Sequence, residues 1–114
     1  MSVRPDVKLR IALGRDIALG PGKAELLALI AETGSIAAAG RRMGLGYKRA
    51  WMLVETMNRC FRTPLVESSR GGSAHGGAAL TPTGTAVLAA YRRLAAGVEA
   101  SADFAAVAAL LQEE

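Results

Sequence analysis

The sequence predicts a mainly α-helical domain with one small β-hairpin, and three observations lead to that expectation. Between Thr33 and Phe61, two stretches with apolar residues at helical spacing flank a Gly44-Leu45-Gly46 turn. Two strand-like runs, Leu65 to Ser69 and the start of a second at Ala79-Leu80, enclose a Gly-rich loop from Arg70 to Gly77. Thr81-Pro82 then opens a helical tail, with Thr81 as N-cap and Pro82 at the first helical position. A length of 114 residues suits one domain, and 51% hydrophobic content with only 4% aromatic makes an aliphatic core.

Taken in order, Val7, Leu9, Ile11 and Leu13 alternate with Lys8, Arg10 and Ala12, the period of a half-buried strand. Gly14-Arg15-Asp16 reads as a turn, with a short return over Ile17-Ala18-Leu19, and this strand region is expected to join the small sheet. Gly20-Pro21-Gly22 ends it. A first helix is expected over Lys23 to Thr33, facing Leu26, Leu27 and Ile30 inward and stopped by Gly34 in the left-handed conformation. Ser35 is a good N-cap for a two-turn helix over Ile36 to Met43. After the glycine turn, with Leu45 plugging the inter-helix angle, a second helix runs from Tyr47 to about Phe61. Ala50, Val54, Met57 and Phe61 share one of its faces, while Lys48, Met52 and Arg59 share the other. In the tail, Val87, Leu88, Tyr91 and Leu94 form one apolar stripe. Gly97 weakens the helix, and a second segment over Val98 to Gln112 carries Phe104, Val107, Ala108 and Leu111. Such a tail is long for one globular helix: it bends near Gly97, or its second half packs on another subunit.

Two helices joined by a tight turn and followed by a hairpin make a winged helix-turn-helix, here with a long C-terminal helix. The boundaries expected within a single 1–114 domain are a strand region at 1–20, the helix-turn-helix and wing at 22–80, and a dimerisation helix region at 81–112. Charge is distributed to match. From Arg41 to Arg62 there are six basic residues (Arg41, Arg42, Lys48, Arg49, Arg59 and Arg62) against Glu55 alone. That local +5 exceeds the whole-chain +4 and leaves the rest at −1. A basic block in a neutral body points to a polyanion partner, although charge alone fits a solvated helix face as well.

The other classes fare worse. One cysteine, Cys60, excludes an intrachain disulfide framework and reads as a small buried hydrophobe. No signal core or membrane-length apolar run is present, so a cytoplasmic location is expected. The wing glycines lack the G-K-[ST] of a phosphate loop, His75 has no ligand cluster around it, and no nucleophile–base pair is evident. Neither an enzyme nor any metal or other cofactor is expected.

Six fragments in order carry a family resemblance: G-S-I-A-A-A (Gly34 to Ala39), G-Y-K-R-A-W (Gly46 to Trp51), Met57-Asn58, P-L-V-E (Pro64 to Glu67), the paired glycines Gly71-Gly72 and Gly76-Gly77, and L-T-P-T-G (Leu80 to Gly84). Together they resemble the DNA-binding half of the molybdate-responsive (ModE-type) regulators, which share a winged-helix lineage with the LysR-type regulators. The resemblance covers about Lys23 to Leu94 well and the tail loosely. It implies a homodimer on a palindromic operator, with Ser35, Tyr47, Lys48 and the wing at the DNA. Gly46 stands where the family usually has serine, which removes a side-chain cap and a phosphate contact. Arg70 and His75 depart from the family's wing positions. The resemblance does not extend to the family's oxyanion-binding domains, so no molybdate binding is expected from this chain.

The residues expected at DNA are Ser35, Arg41, Arg42, Tyr47, Lys48, Arg49, Met52, Arg59, Arg70, Ser73 and His75. Lys48 and Arg49 oppose the dipole of the helix they open, which favours a role against phosphate or guanine. Tyr47 either meets the DNA backbone or caps the core. Arg41 and Arg42 suit either a helix C-terminus or a phosphate, Arg70 suits the minor groove, and Trp51 suits core packing. Val98, Phe104, Val107 and Leu111 are expected at a dimer interface. The function expected is sequence-specific binding of double-stranded DNA by a homodimeric transcriptional regulator. The alternative is a winged-helix protein-interaction module with weak or lost DNA binding.

Overall fold

The computed structural model describes residues 4–69 and 77–112. Nine elements follow in order: β1 (Ile11–Leu13), β2 (Asp16–Leu19), α1 (Pro21–Thr33), α2 (Ile36–Arg42), α3 (Tyr47–Cys60), β3 (Val66–Ser69), β4 (Gly77–Leu80), α4 (Pro82–Glu99) and α5 (Ala102–Ala109). This is the expected winged helix-turn-helix, with α2 and α3 as the motif and β3–β4 as the wing.

α1 is the hub. Leu26, Leu27 and Ile30 on it are fully buried, and it touches α2, α3, α4, β2 and β4. Gly34 closes it at φ 73°, returning its N–H to the Ile30 carbonyl at 2.8 Å, because a left-handed residue satisfies an end carbonyl that helix geometry leaves open. One residue on, Ser35 caps α2: its Oγ accepts from the Ala38 N–H at 3.0 Å. α2 and α3 meet closely, and a Cβ on Gly40 would lie 2.9 Å from that of Ala50. Gly44 takes the turn between them at φ 74°.

Behind α3, one side chain fixes the start of the wing. The Asn58 Oδ1 accepts from the Leu65 and Val66 N–H groups at 2.9 and 3.2 Å, and its Nδ2 donates to the Val66 carbonyl at 3.1 Å. β3 then pairs antiparallel with β4, Val66 opposite Leu80 and Ser69 opposite Gly77. Thr81 is the buried polar residue that joins this hairpin to α4. Its hydroxyl donates to the Pro64 carbonyl at 2.7 Å and accepts from the Gly84 N–H at 2.9 Å, while its own N–H donates to Leu65 at 2.9 Å. Gly84 must be glycine here, since a Cβ would sit 2.1 Å from the Leu65 carbonyl oxygen.

Several expectations need correction. The N-terminal strand is confined to Ile11–Leu13, all three exposed, so the alternation from Val7 is not that of a half-buried strand. Residues before it are tied down instead by hydrogen bonds to α4: Tyr91 donates to the Leu9 carbonyl at 2.7 Å, and the Val7 N–H donates to Glu99 at 3.0 Å. β1 and β2 form a sheet of their own and do not add to the wing. α1 begins at Pro21, two positions before Lys23, because the fixed proline φ suits the first helical turn. The tail breaks at Ala100-Ser101 and not at Gly97, which lies inside α4; the Ser101 Oγ caps α5 by accepting from Phe104 at 3.1 Å. α5 stops at Ala109, short of the expected Gln112. Cys60 is half-buried and not fully enclosed.

Candidate nucleic-acid interface

α3 is oriented by what it buries. Ala50, Val54 and Met57 are at most 2% exposed, which leaves the opposite face to solvent. On that face stand Lys48, Met52 and Arg59, with Arg49 to one side, all exposed. Tyr47 is 62% exposed and meets Trp51 edge-on, with ring centroids 6.1 Å apart and planes at 70°. The α3 N-terminus has no side-chain cap, because Gly46 has no oxygen to offer; the N–H groups there are open to an external acceptor.

The remaining expected contacts divide. The Ser35 hydroxyl is engaged as the α2 cap, so its acceptor role is internal. Arg41 is exposed at the end of α2. Arg42 is exposed too, but its guanidinium pairs with Glu32 of α1, which ties it to the fold. Arg70, Ser73 and His75 lie outside the described residues. Trp51 packs against the core as expected, yet among the described residues its buried Nε1–H has no hydrogen-bond partner. The expected dimer residues sit on the arm: Val98 near the end of α4, Phe104 and Val107 on α5, and Leu111 just beyond it. Val98 and Phe104 are half-buried, Val107 and Leu111 exposed, and the neighbouring Leu110 is 88% exposed.

Sequence reasoning also missed a basic groove. Arg10, Lys23 and Arg49, from three separate segments of the chain, line a pocket of about 340 Å³ together with Ile17, Leu45 and Leu53. Periodicity along one helix gives no sign of a cluster assembled from distant segments. Among the described residues no group of three His, Cys, Asp or Glu side chains converges as metal ligands, and no helix is long and apolar enough to cross a membrane.

A tightly joined helix pair that presents a cationic second helix beside a hairpin defines a winged helix-turn-helix of the DNA-binding class. Comparisons with known proteins agree. Residues 22–85 match the family model described as bacterial regulatory helix-turn-helix protein, lysR family, and the chain belongs to that family. It is 49% identical over 80 residues to the molybdenum-pterin-binding protein MopB of Rhodobacter capsulatus, covering 70% of this chain and 30% of that protein. To the DNA-binding transcriptional dual regulator ModE of Escherichia coli K12 it is 33% identical over 93 residues, 82% of this chain and 36% of the other. The chain thus spans about a third of the length of the curated relatives it matches. The CbnR DNA-binding domain, in its crystal structure with DNA, superposes with a TM-score of 0.59 at 26% identity, over 77% of this chain and 95% of that one.

Proposed function

We propose that residues 1–114 form one DNA-binding unit, a transcriptional regulator that reads a specific duplex site as a homodimer in the cytoplasm. The observation that supports this most is the two-faced α3, whose buried Ala50, Val54 and Met57 hold Lys48, Met52 and Arg59 outward. A helix about 10–12 Å across fits the major groove, which is about 12 Å wide. Lys48 is the base-reading residue, since it lies near the N-terminal end of α3 on the outward face. Arg41, Arg49 and Arg59 supply phosphate contacts and most of the affinity, while Arg70 and the wing hold the neighbouring backbone or minor groove. Two copies, joined through Val98, Phe104, Val107 and Leu111, are needed because one helix reads too few bases.

The helix-turn-helix, wing and following helices occupy residues 36–109, so the activity proposed for this stretch is DNA binding, not catalysis or oxyanion sensing. Titration of this chain with molybdate is expected to give no heat of binding. The uncapped α3 and the internally paired Arg42 favour one second reading, a protein-interaction module that has lost affinity for DNA. A duplex-binding measurement across a salt series separates the two. The regulator gives a log–log slope of about −0.9 for each phosphate neutralised; binding that is flat in salt, or absent, sinks it.

A further inference from the structure

The groove lined by Arg10, Lys23 and Arg49 lies outside the face that reads bases, and its construction is specific. Arg10 precedes β1, Lys23 is in the first turn of α1, and Arg49 is in the first turn of α3. No carboxylate is among the described residues that line it. The Arg10 stem passes over the buried Gly20, where an added Cβ would stand at ordinary contact distance, 3.4 Å, from the Arg10 Cγ. The Lys23 Nζ is held in the wall by donating to the Ile17 carbonyl at 2.6 Å, a contact that uses one of its three hydrogens. An anion entering the groove would therefore meet cations from three segments and no carboxylate among the described lining residues.

Helix geometry says which anion. Successive residues turn by about 100°, so Arg49 and Leu53 lie on one flank of α3 and Tyr47, Trp51 and Asn58 on the other, with Lys48, Met52 and Arg59 between them. Asn58 bonds β3, so the second flank faces the wing. A helix seated in a major groove has a phosphate strand on each side. The wing side meets one strand. The other strand must then run past Arg49, and Arg10 and Lys23 continue that flank outward from the helix.

We propose that the Arg10–Lys23–Arg49 groove is a second backbone clamp, taking a phosphate of the DNA strand on the flank of α3 away from the wing. The proposal rests on the DNA-binding reading above. Its consequence is that α3 is held from both sides, and that the β1–β2 hairpin and its approach serve to carry a cation to the DNA.

Arg10→Ala tests it, with Arg15→Ala as control, because Arg15 is an exposed cation of the same hairpin that does not line the groove. Loss of one phosphate contact is expected to make the salt slope about 0.9 less negative and to weaken binding about eightfold at 0.1 M salt. Specific and random duplexes should weaken alike, Arg10→Lys should restore the slope, and Arg15→Ala should match the parent. Duplexes with single uncharged methylphosphonate linkages locate the contact. One flanking position should weaken the parent protein while leaving Arg10→Ala unaffected. If the parent binds with steep salt dependence but Arg10→Ala binds equally well, or loses only the specific site, the clamp is wrong and the regulator stands. If the parent shows no salt-dependent duplex binding, both fall. Circular dichroism of each variant separates unfolding from lost contact; should Arg10→Ala unfold, the Arg10→Lys slope against the methylphosphonate series decides the matter.

Discussion

Two helices of this chain leave a face uncovered, and the faces are opposite in kind. α3 buries Ala50, Val54 and Met57 and turns Lys48, Met52 and Arg59 outward, so the core decides its position and its free surface is mostly polar. α5 buries no residue; Val107 on it is 59% exposed, and Leu110 and Leu111 beyond it are 88% and 52% exposed. Its start is fixed by the Ser101 cap. A helix that the core already holds can offer its outward residues to a polar partner without losing its place. A helix with no fully buried residue has packing still to make, and most helical stability in water comes from packing.

The contrast can be broken at its strongest point first. Met57→Ala removes a fully buried side chain from beneath α3 and is expected to lower unfolding stability by about 2–5 kcal/mol in urea titration. Val107→Ala on α5 should stay within about 0.5 kcal/mol in the monomer; equal losses at the two sites would erase the distinction.

Next is the polar face itself. Lys48→Ala should weaken the specific duplex by about 1–3 kcal/mol and narrow its advantage over random DNA. Arg70→Ala should weaken both duplexes evenly and reduce the salt slope by about one. Filter binding of both variants on the same pair of duplexes would reverse this assignment if only Arg70→Ala lost discrimination.

The apolar face is tested by Val107→Asp, which places a charge where a second copy is proposed to pack. Sedimentation at micromolar concentration should move from dimer to monomer with helix content retained. A parent chain that already sediments as a monomer rules out the arm as the dimer contact. The smallest effect sharpens the account of α3 alone: Gly46→Ser supplies the missing cap and should raise stability by a few tenths of a kcal/mol in thermal melts.

What could be read ahead of the structure followed from local chemistry. Gly34, Ser35 and Thr81 each satisfy a helix end with their own backbone or oxygen, so they marked α1, α2 and α4 correctly. The spacing of Ala50, Val54 and Met57 oriented α3. Errors arose where one residue type serves two purposes. Gly20-Pro21-Gly22 reads as the end of the strand region, although a proline also opens helices, and Pro21 opens α1. Gly97 reads as one place for the tail to bend, although a helix tolerates one glycine and the break comes at a serine able to cap. Pairing partners were harder still. Nothing in Val7 to Leu13 says whether it joins the wing or a second hairpin, and Arg10, Lys23 and Arg49 come together only once the chain has folded.

Trp51 is the chain's one tryptophan, half-buried near the start of α3, edge-on to an exposed tyrosine and with its indole N–H unbonded among the described residues. The molecule therefore carries an optical probe where α3 begins. Indole emission depends on what surrounds the ring, so a duplex that draws Tyr47 toward its backbone changes the light without any added label. Binding at the proposed reading helix can be followed by colour and intensity in the unmodified protein, while an event confined to the far arm leaves that signal still.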